Sequence, residues 1–104
     1  ALAESDTLSN LTQLTLTFNP IGLRGAEAIA NSENFRNLTL MDLYEADLGD
    51  RGARALAESK NLPNLETLVL IHNDVREGVQ ALFKDNKNFP KLKDVYFYTA
   101  KAEV

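Results

Sequence analysis

The sequence predicts an α/β fold built from stacked strand–turn–helix units whose strands together form one parallel sheet. Two observations predict it. Leucines recur every 27 residues along the chain, at Leu11, Leu38, Leu65 and Leu92. Within each unit the apolar pattern changes from the two-residue period of a strand to the spacing of a helix. Because one such unit cannot bury its own apolar face, neighbouring units are expected to stack against one another.

The same sequence frame runs forward from each of these leucines. Apolar residues follow at positions +3 and +5, and a small or amide residue follows at +8. In the first three copies an aliphatic residue follows at +10. A further apolar column precedes the leucines by three residues, at Leu8, Phe35, Leu62 and Phe89. The whole chain, residues 1–104, is therefore expected to form a single repeat domain.

Alternating polar and apolar residues predict strands near residues 13–17, 40–44, 67–71 and 94–98. A turn containing Gly, Asp or Asn follows each of the first three, and alanine-rich helical runs come next at 25–30, 52–58 and about 78–84. In the third run Ala81 and Leu82 are aligned with Ala55 and Leu56, one residue early, and residues 85–87 absorb the slip. The alanines, together with Gly25 and Gly52, are predicted to let neighbouring helices approach closely.

Residues 11–30 carry a pattern that resembles a known family. They read Leu-x-x-Leu-x-Leu-x-x-Asn-x-Ile-Gly-x-x-Gly-Ala-x-Ala-Ile-Ala, which is similar to the ribonuclease-inhibitor-like class of leucine-rich repeat proteins. The resemblance implies four repeats of about 27 residues in a curved, right-handed solenoid, with a parallel sheet on the concave side and helices on the convex side. Ala46 and Ala100 stand where the pattern prefers Asn, so a ladder of side-chain amides between the turns is expected to be interrupted.

The two ends of the sequence suggest a longer solenoid. Residues 1–5 repeat residues 55–59, so the chain begins inside a helical run, and it ends shortly after the fourth predicted strand. Neither end carries an evident capping segment, which repeat stacks normally need. We therefore expect a piece of a longer protein, with self-association through the uncapped ends as the alternative.

Composition argues against several classes of function. No apolar run approaches the roughly 18 residues of a membrane span, so no membrane partner is expected. A net charge of −4 and a pI near 4.9 argue against nucleic acid as the main partner. The absence of cysteine excludes disulfides, thiolate metal sites and cysteine nucleophiles, and it fits a reducing, cytoplasmic location.

Catalysis finds little support in the sequence. His72 is the only histidine, and the repeat frame places it near Glu45 and Asp74. An imidazole beside carboxylates could act as a general base or metal ligand, but a solvated edge residue is the favoured interpretation. The serines fall in helix ends and return loops, and the glycines form no phosphate-binding loop. We therefore expect no enzyme activity, no catalytic residue, no metal and no cofactor.

The outward face of the predicted sheet carries the candidate binding residues. Side chains that lie between the core leucines point to the face opposite the core. On this face an aliphatic and aromatic centre is bordered by acidic side chains, which is typical of a protein-binding surface. The candidate partner-binding residues are Leu40, Asp42, Tyr44, Glu45, Val69, Ile71, His72, Asp94, Tyr96 and Tyr98.

We therefore predict a non-catalytic protein-interaction module that binds a protein partner through its concave sheet. Two alternatives stay open. The resemblance also implies a GTPase-activating or similar regulatory protein, which would act through the strand-to-turn residues Glu45, His72 and Asp74. The chain could instead be a structural or sensor segment of a larger receptor or effector, for which the sheet residues would be dispensable.

Overall fold

Four short strands form one parallel sheet, in the order in which they occur along the chain. The structure is a computed structural model that describes residues 11–98. The strands are β1 (Gln13–Thr15), β2 (Leu40–Asp42), β3 (Thr67–Val69) and β4 (Asp94–Tyr96). Each residue pairs with the residue 27 positions further along, so that Leu14 lies opposite Met41. The strands therefore occupy the first three residues of each predicted strand, and their pairing follows the 27-residue repeat.

Each strand ends two residues earlier than the alternating pattern predicts. After β1, β2 and β3 the backbone turns sharply at Phe18, Glu45 and His72, which adopt left-handed φ angles of 58°, 52° and 58°. Hydrogen bonds between neighbouring repeats continue into the turns. The Phe18 amide donates to the Tyr44 carbonyl, and the Glu45 amide donates to the Ile71 carbonyl. The alternation therefore extends beyond the regular strands into ordered turns.

The helices are α1 (Gly22–Asn31), α2 (Gly49–Ala57) and α3 (Glu77–Gln80), with short 3₁₀ turns at Glu33–Phe35 and Ala81–Phe83. Helices α1 and α2 begin three residues before the predicted runs. Their first residues, Gly22 and Gly49, have positive φ angles of 63° and 64°, which glycine adopts at low cost. Arg76 occupies the equivalent position in the third repeat and has an extended conformation, so α3 begins one residue later. It gives way to a 3₁₀ turn after four residues.

Close approach of the first two helices is confirmed at Gly52. A Cβ atom placed there would lie 3.5 Å from the Cβ of Ala26 on α1. At Gly25 the nearest side chain is that of Ile21, one turn earlier in the chain. Gly25 therefore leaves room for its own helix start, which differs from the predicted helix–helix role.

The predicted one-residue slip in the third repeat is wrong. Leu82 is 38% exposed, whereas Phe83 is only 2% exposed and holds the position that Leu56 holds one repeat earlier. The Phe83 ring stacks on Phe89 with a centroid separation of 5.9 Å. The 27-residue register therefore continues through the helical side, and Ala81, predicted to face a neighbouring helix, is exposed.

Buried apolar side chains of the strands, helices and return loops form one continuous core. The predicted columns supply most of it, with Leu11 and Leu92 partly buried at its margins. The largest fully buried side chains are those of Phe35, Leu38, Met41, Leu43, Leu56, Leu62, Leu65, Leu68, Leu70 and Val95. Burying a side chain of this size contributes roughly 1.5–3 kcal/mol, so the core is the main source of stability.

A buried asparagine joins the turns that follow β2 and β3. The Asn73 Oδ1 atom accepts hydrogen bonds from the amides of Ala46 (2.9 Å) and Leu48 (3.2 Å). Its Nδ2 group donates to the carbonyls of Leu43 (2.7 Å) and Ile71 (3.2 Å). Ala46 occupies the same position one repeat earlier, and it has no side-chain amide that could join its turn to the turn after β1. The predicted interruption is therefore present at Ala46, and Ala100 lies outside the described residues.

Serine and asparagine side chains join neighbouring repeats at the C-terminal ends of α1 and α2. The Ala30 carbonyl, in the last turn of α1, accepts hydrogen bonds from Ser59 Oγ (2.6 Å) and Asn61 Nδ2 (2.9 Å). One repeat later the Ala57 carbonyl accepts from Asn86 Nδ2 (2.9 Å) and Asn88 Nδ2 (3.3 Å). Carbonyls in the last helical turn lack partners within the helix. Each repeat therefore satisfies the helix end of the repeat before it.

The ends of the sequence are not tested by the fold. The expectations for residues 1–5 and for Leu8 fall on the part of the chain outside residues 11–98. Within residues 11–98, no helix is long and apolar enough to cross a membrane.

Candidate protein-binding face

The outward face of the sheet is formed by the side chains that alternate with the buried strand residues. Leu14, Met41, Leu68 and Val95 are buried in the core. Their neighbours on each strand are exposed or half-buried. We call these strand residues the outward face: Gln13, Thr15, Leu40, Asp42, Thr67, Val69, Asp94 and Tyr96. Because pairing joins Leu40 to Thr67 and Asp42 to Val69, the outward residues form two rows that cross the strands.

Two of the candidate partner-binding residues lie beyond the strands, in the turns. Tyr44 and Ile71 follow β2 and β3, and both are half-buried. The backbone carbonyl of each accepts a hydrogen bond from the neighbouring turn, at 2.8 Å for Tyr44 and 2.9 Å for Ile71. The two residues are therefore held in the repeat register although they are outside the regular strands.

Three rings form a row along the strand-to-turn edge, and we call Phe18, Tyr44 and His72 the edge row. The Phe18 and Tyr44 centroids are 5.2 Å apart with the ring planes at 64°, and Tyr44 and His72 are 5.3 Å apart at 85°. Edge-to-face contacts at such distances are favourable. The Phe18 side chain is 66% exposed, which is unusual for a large apolar residue. The edge row therefore presents an ordered aromatic surface to solvent.

Phe18 is a surface residue that was missing from the predicted binding set. It occupies the same repeat position as Glu45 and His72, both of which were predicted. An apolar residue at a position that is polar in the next two repeats was the signal that could have identified it. Its exposure could not be read from the sequence, because phenylalanine in a strand pattern is more often buried.

Asp42 has a structural contact that the predicted partner-binding role did not include. Its Oδ1 atom accepts a hydrogen bond from the Tyr44 amide at 3.1 Å. Asp and Asn side chains commonly stabilise turns by accepting from the amide two residues ahead. Asp42 therefore holds the turn that positions Tyr44, in addition to its place on the outward face.

Tyr98 lies apart from the centre of the outward face. Its hydroxyl oxygen accepts a hydrogen bond from Gln80 Nε2 at 3.1 Å, and the same Gln80 group donates to the Val75 carbonyl at 2.8 Å. These residues line a cleft of about 180 Å³ that His72 and Asp74 also border. Tyr98 is therefore placed beside the edge of the third turn, and its side chain is 57% exposed.

The positively charged side chains of the described chain lie away from the strands and the strand-to-turn segments. The strand and strand-to-turn segments, residues 13–19, 40–47, 67–74 and 94–98, contain no lysine or arginine. They contain five carboxylates: Asp42, Glu45, Asp47, Asp74 and Asp94. The lysines and arginines of the described chain lie on the helices, the helix starts and the return loops. The outward face and its edge are therefore a region of negative potential.

Among the candidate binding residues, His72 has the side chain suited to metal binding or general-base catalysis. Among residues 11–98, no three His, Asp or Glu side chains are grouped so that they could hold a metal ion. His72 packs edge-on against the Tyr44 ring, as a member of the edge row. What the site offers chemically is an aromatic and aliphatic surface with carboxylates around it.

The comparisons with known proteins support the repeat interpretation. Residues 7–30 match the family model described as Leucine Rich repeat. The matched segment includes β1 and most of α1, and it supports a leucine-rich repeat protein. No match was found among the curated proteins or among the solved structures.

Proposed function

We propose that this protein is a non-catalytic interaction module that binds a protein partner through the outward face and the edge row. The observation that carries the proposal is the composition of the outward face. Leu40, Val69 and Tyr96 lie there half-buried, with no covering element in the described part of the chain. Apolar and aromatic side chains ringed by polar groups are typical of protein-binding surfaces. Stacked repeats commonly bind through such extended surfaces.

The rigidity of the face supports this proposal. The strand ladder fixes the positions of the outward side chains, and the Asp42 and Asn73 side chains hold the turns beside them. A surface that is already ordered loses little conformational entropy when it binds. A larger share of the free energy gained from burying the apolar side chains would therefore appear as affinity than for a face that has to order on binding.

The finer identity of the protein also belongs to the proposal. We propose that the units form a curved, right-handed solenoid of the ribonuclease-inhibitor-like class with the outward face on its concave side, and that the protein acts in the cytoplasm. Nucleic acid and membranes would not be its main partners, because phosphate groups would be repelled by the carboxylates of the face.

Affinity capture from a lysate tests the proposed face. The wild-type chain is compared with a face variant, Leu40→Ala/Val69→Ala/Tyr96→Ala, and with a matched helix-side variant, Arg24→Ala/Arg51→Ala/Leu82→Ala. Circular dichroism and thermal melting establish that all three proteins are folded. We expect a partner that the wild type and the helix-side variant retain and that the face variant loses.

The remaining outcomes separate the alternatives. Loss of the partner with Glu45→Gln/Asp74→Asn, but not with the triple alanine face variant, would favour a regulatory protein that acts through its strand-to-turn edge. A partner retained equally by every variant would contradict the proposed face and favour a structural or sensor segment. Asn is suitable at residue 74 because it tolerates the left-handed φ of 53° found there.

A further inference from the structure

The edge row combines two properties that a positively charged side chain recognises. Aromatic rings attract cations through the negative potential of their faces, and most of the Phe18 ring is open to solvent. Glu45 occupies the same repeat position as Phe18 and His72, on the turn between theirs. The backbone of Glu45 therefore lies on the middle one of the three turns, next to Tyr44 in the chain.

The charges around the row point the same way. Glu45 and Asp74 are both exposed. No lysine or arginine in the strand and strand-to-turn segments neutralises them. An acidic partner would be repelled at this edge, and a purely apolar one would leave the carboxylates without counter-charges as it removed water from them. A cationic partner gains from both the rings and the carboxylates.

We infer that the partner presents a basic peptide segment, in which an arginine or lysine side chain lies against the edge row and its cation pairs with Glu45 or Asp74. This inference rests on the proposed binding function, since it names the chemistry of the partner for the same face. Arginine suits the site better than lysine, because its planar guanidinium can stack on a ring while donating to a carboxylate.

A titration followed by NMR tests the inference. The probe is a short Gly/Ser peptide carrying two arginines, and the controls are the same peptide with two glutamines or two glutamates. We expect the arginine peptide to shift the amide resonances of Phe18, Tyr44, Glu45 and His72, whereas α1 and α2 remain unchanged. The glutamine peptide should bind several-fold more weakly and the glutamate peptide should not bind, and about 500 mM salt should weaken the arginine complex.

Matched variants separate the edge row from simple charge attraction. Glu45→Gln/Asp74→Asn should weaken arginine-peptide binding about three- to tenfold. Glu27→Gln/Glu58→Gln removes the same charge from exposed helix-side positions and should leave binding nearly unchanged. Phe18→Leu keeps an apolar side chain without a ring, and it should weaken binding of the arginine peptide. Leu82→Ala changes an exposed apolar residue on the helical side, and it should leave that binding unchanged.

Three results would overturn the inference. They are equal weakening by the helix-side charge variant, resonance shifts spread over the helices, and no preference for arginine over glutamine. None of them bears on the proposed function, which is decided by the capture experiment. A captured partner whose binding depends on Leu40, Val69 and Tyr96, but not on Glu45, Asp74 or salt, would leave the interaction module in place and reject the basic segment.

Discussion

The helical side of the third repeat differs from those of the first two, although the strands of all three have the same length and pairing register. Helices α1 and α2 have ten and nine residues, whereas α3 has four and continues as a 3₁₀ turn. The pairing register of the strands is the same throughout. The comparison teaches that the sheet ladder and the buried columns set the repeat, while the helical side tolerates variation.

Local sequence explains the difference. The first two helices begin at Gly22 and Gly49, whose left-handed φ places the next residues in a helix, and the third repeat has Arg76 instead. Gly52 packs close to Ala26, whereas Val79 stands at the equivalent position of the third repeat and is buried with a full side chain. The third repeat therefore lacks the glycine at which α1 and α2 approach each other closely.

The strongest test of this comparison is the register of the third repeat. Phe83→Ala should lower the free energy of unfolding by about 3–5 kcal/mol, because it empties a fully buried site. Leu82→Ala should change it by less than about 0.5 kcal/mol, because Leu82 lies at the surface. Urea denaturation measures both. A larger loss from Leu82→Ala than from Phe83→Ala would restore the one-residue slip.

The bridge between the turns is the next test. Asn73→Ala should cost about 2–3 kcal/mol, because it leaves the buried amides of Ala46 and Leu48 without their acceptor. Asn19→Ala is the matched change at the same repeat position two repeats earlier. It should cost less than about 1 kcal/mol, because Asn19 is exposed and its side chain donates only to the Thr17 carbonyl among the described residues. Equal losses in urea denaturation would show that the bridge has no special weight.

Two glycine substitutions should act in opposite directions. Gly78→Ala should raise the free energy of unfolding by about 0.5–1 kcal/mol, since alanine favours the helix and has open space there. Gly52→Ala should lower it by about the same amount, because the new Cβ would lie 3.1 Å from the Cβ of Leu48 and close to α1. Thermal melting distinguishes the two. Stabilisation at both sites would mean that α1 and α2 are not tightly packed at Gly52.

The smallest effect is expected at the start of α3. Arg76 Nε lies 3.6 Å from Asp50 Oδ2, but the Arg76 side chain is 89% exposed. Arg76→Ala should therefore cost less than about 0.5 kcal/mol, and the backbone amide at residue 76 can still donate to Asp50 Oδ1. Chemical denaturation at low and high salt is the measurement, and a loss above about 1 kcal/mol would show that this ion pair contributes to holding the third repeat.

The starts of the strands, their register and the residues on the outward face could be predicted from the sequence. The reason is that the sequence itself contains both the two-residue alternation and the 27-residue repeat. The predicted alignment of Ala81 and Leu82 with Ala55 and Leu56 was wrong, because Phe83 and not Leu82 is the buried side chain of this part of the third repeat. Phe18 was missed because exposure depends on what covers a residue in three dimensions. The bridging by Asn61 and Asn88 depends on side-chain direction, which spacing alone does not give.

The hydrogen bonds at the helix ends give the stack a polarity. The Ala30 carbonyl depends on Ser59 and Asn61, and the Ala57 carbonyl depends on Asn86 and Asn88, so each unit completes the one before it. The donor side chain always belongs to the later unit, and the accepting carbonyl always belongs to the earlier one. Two units stacked in the reverse order could not form these hydrogen bonds, so the helix ends favour one direction for joining repeats.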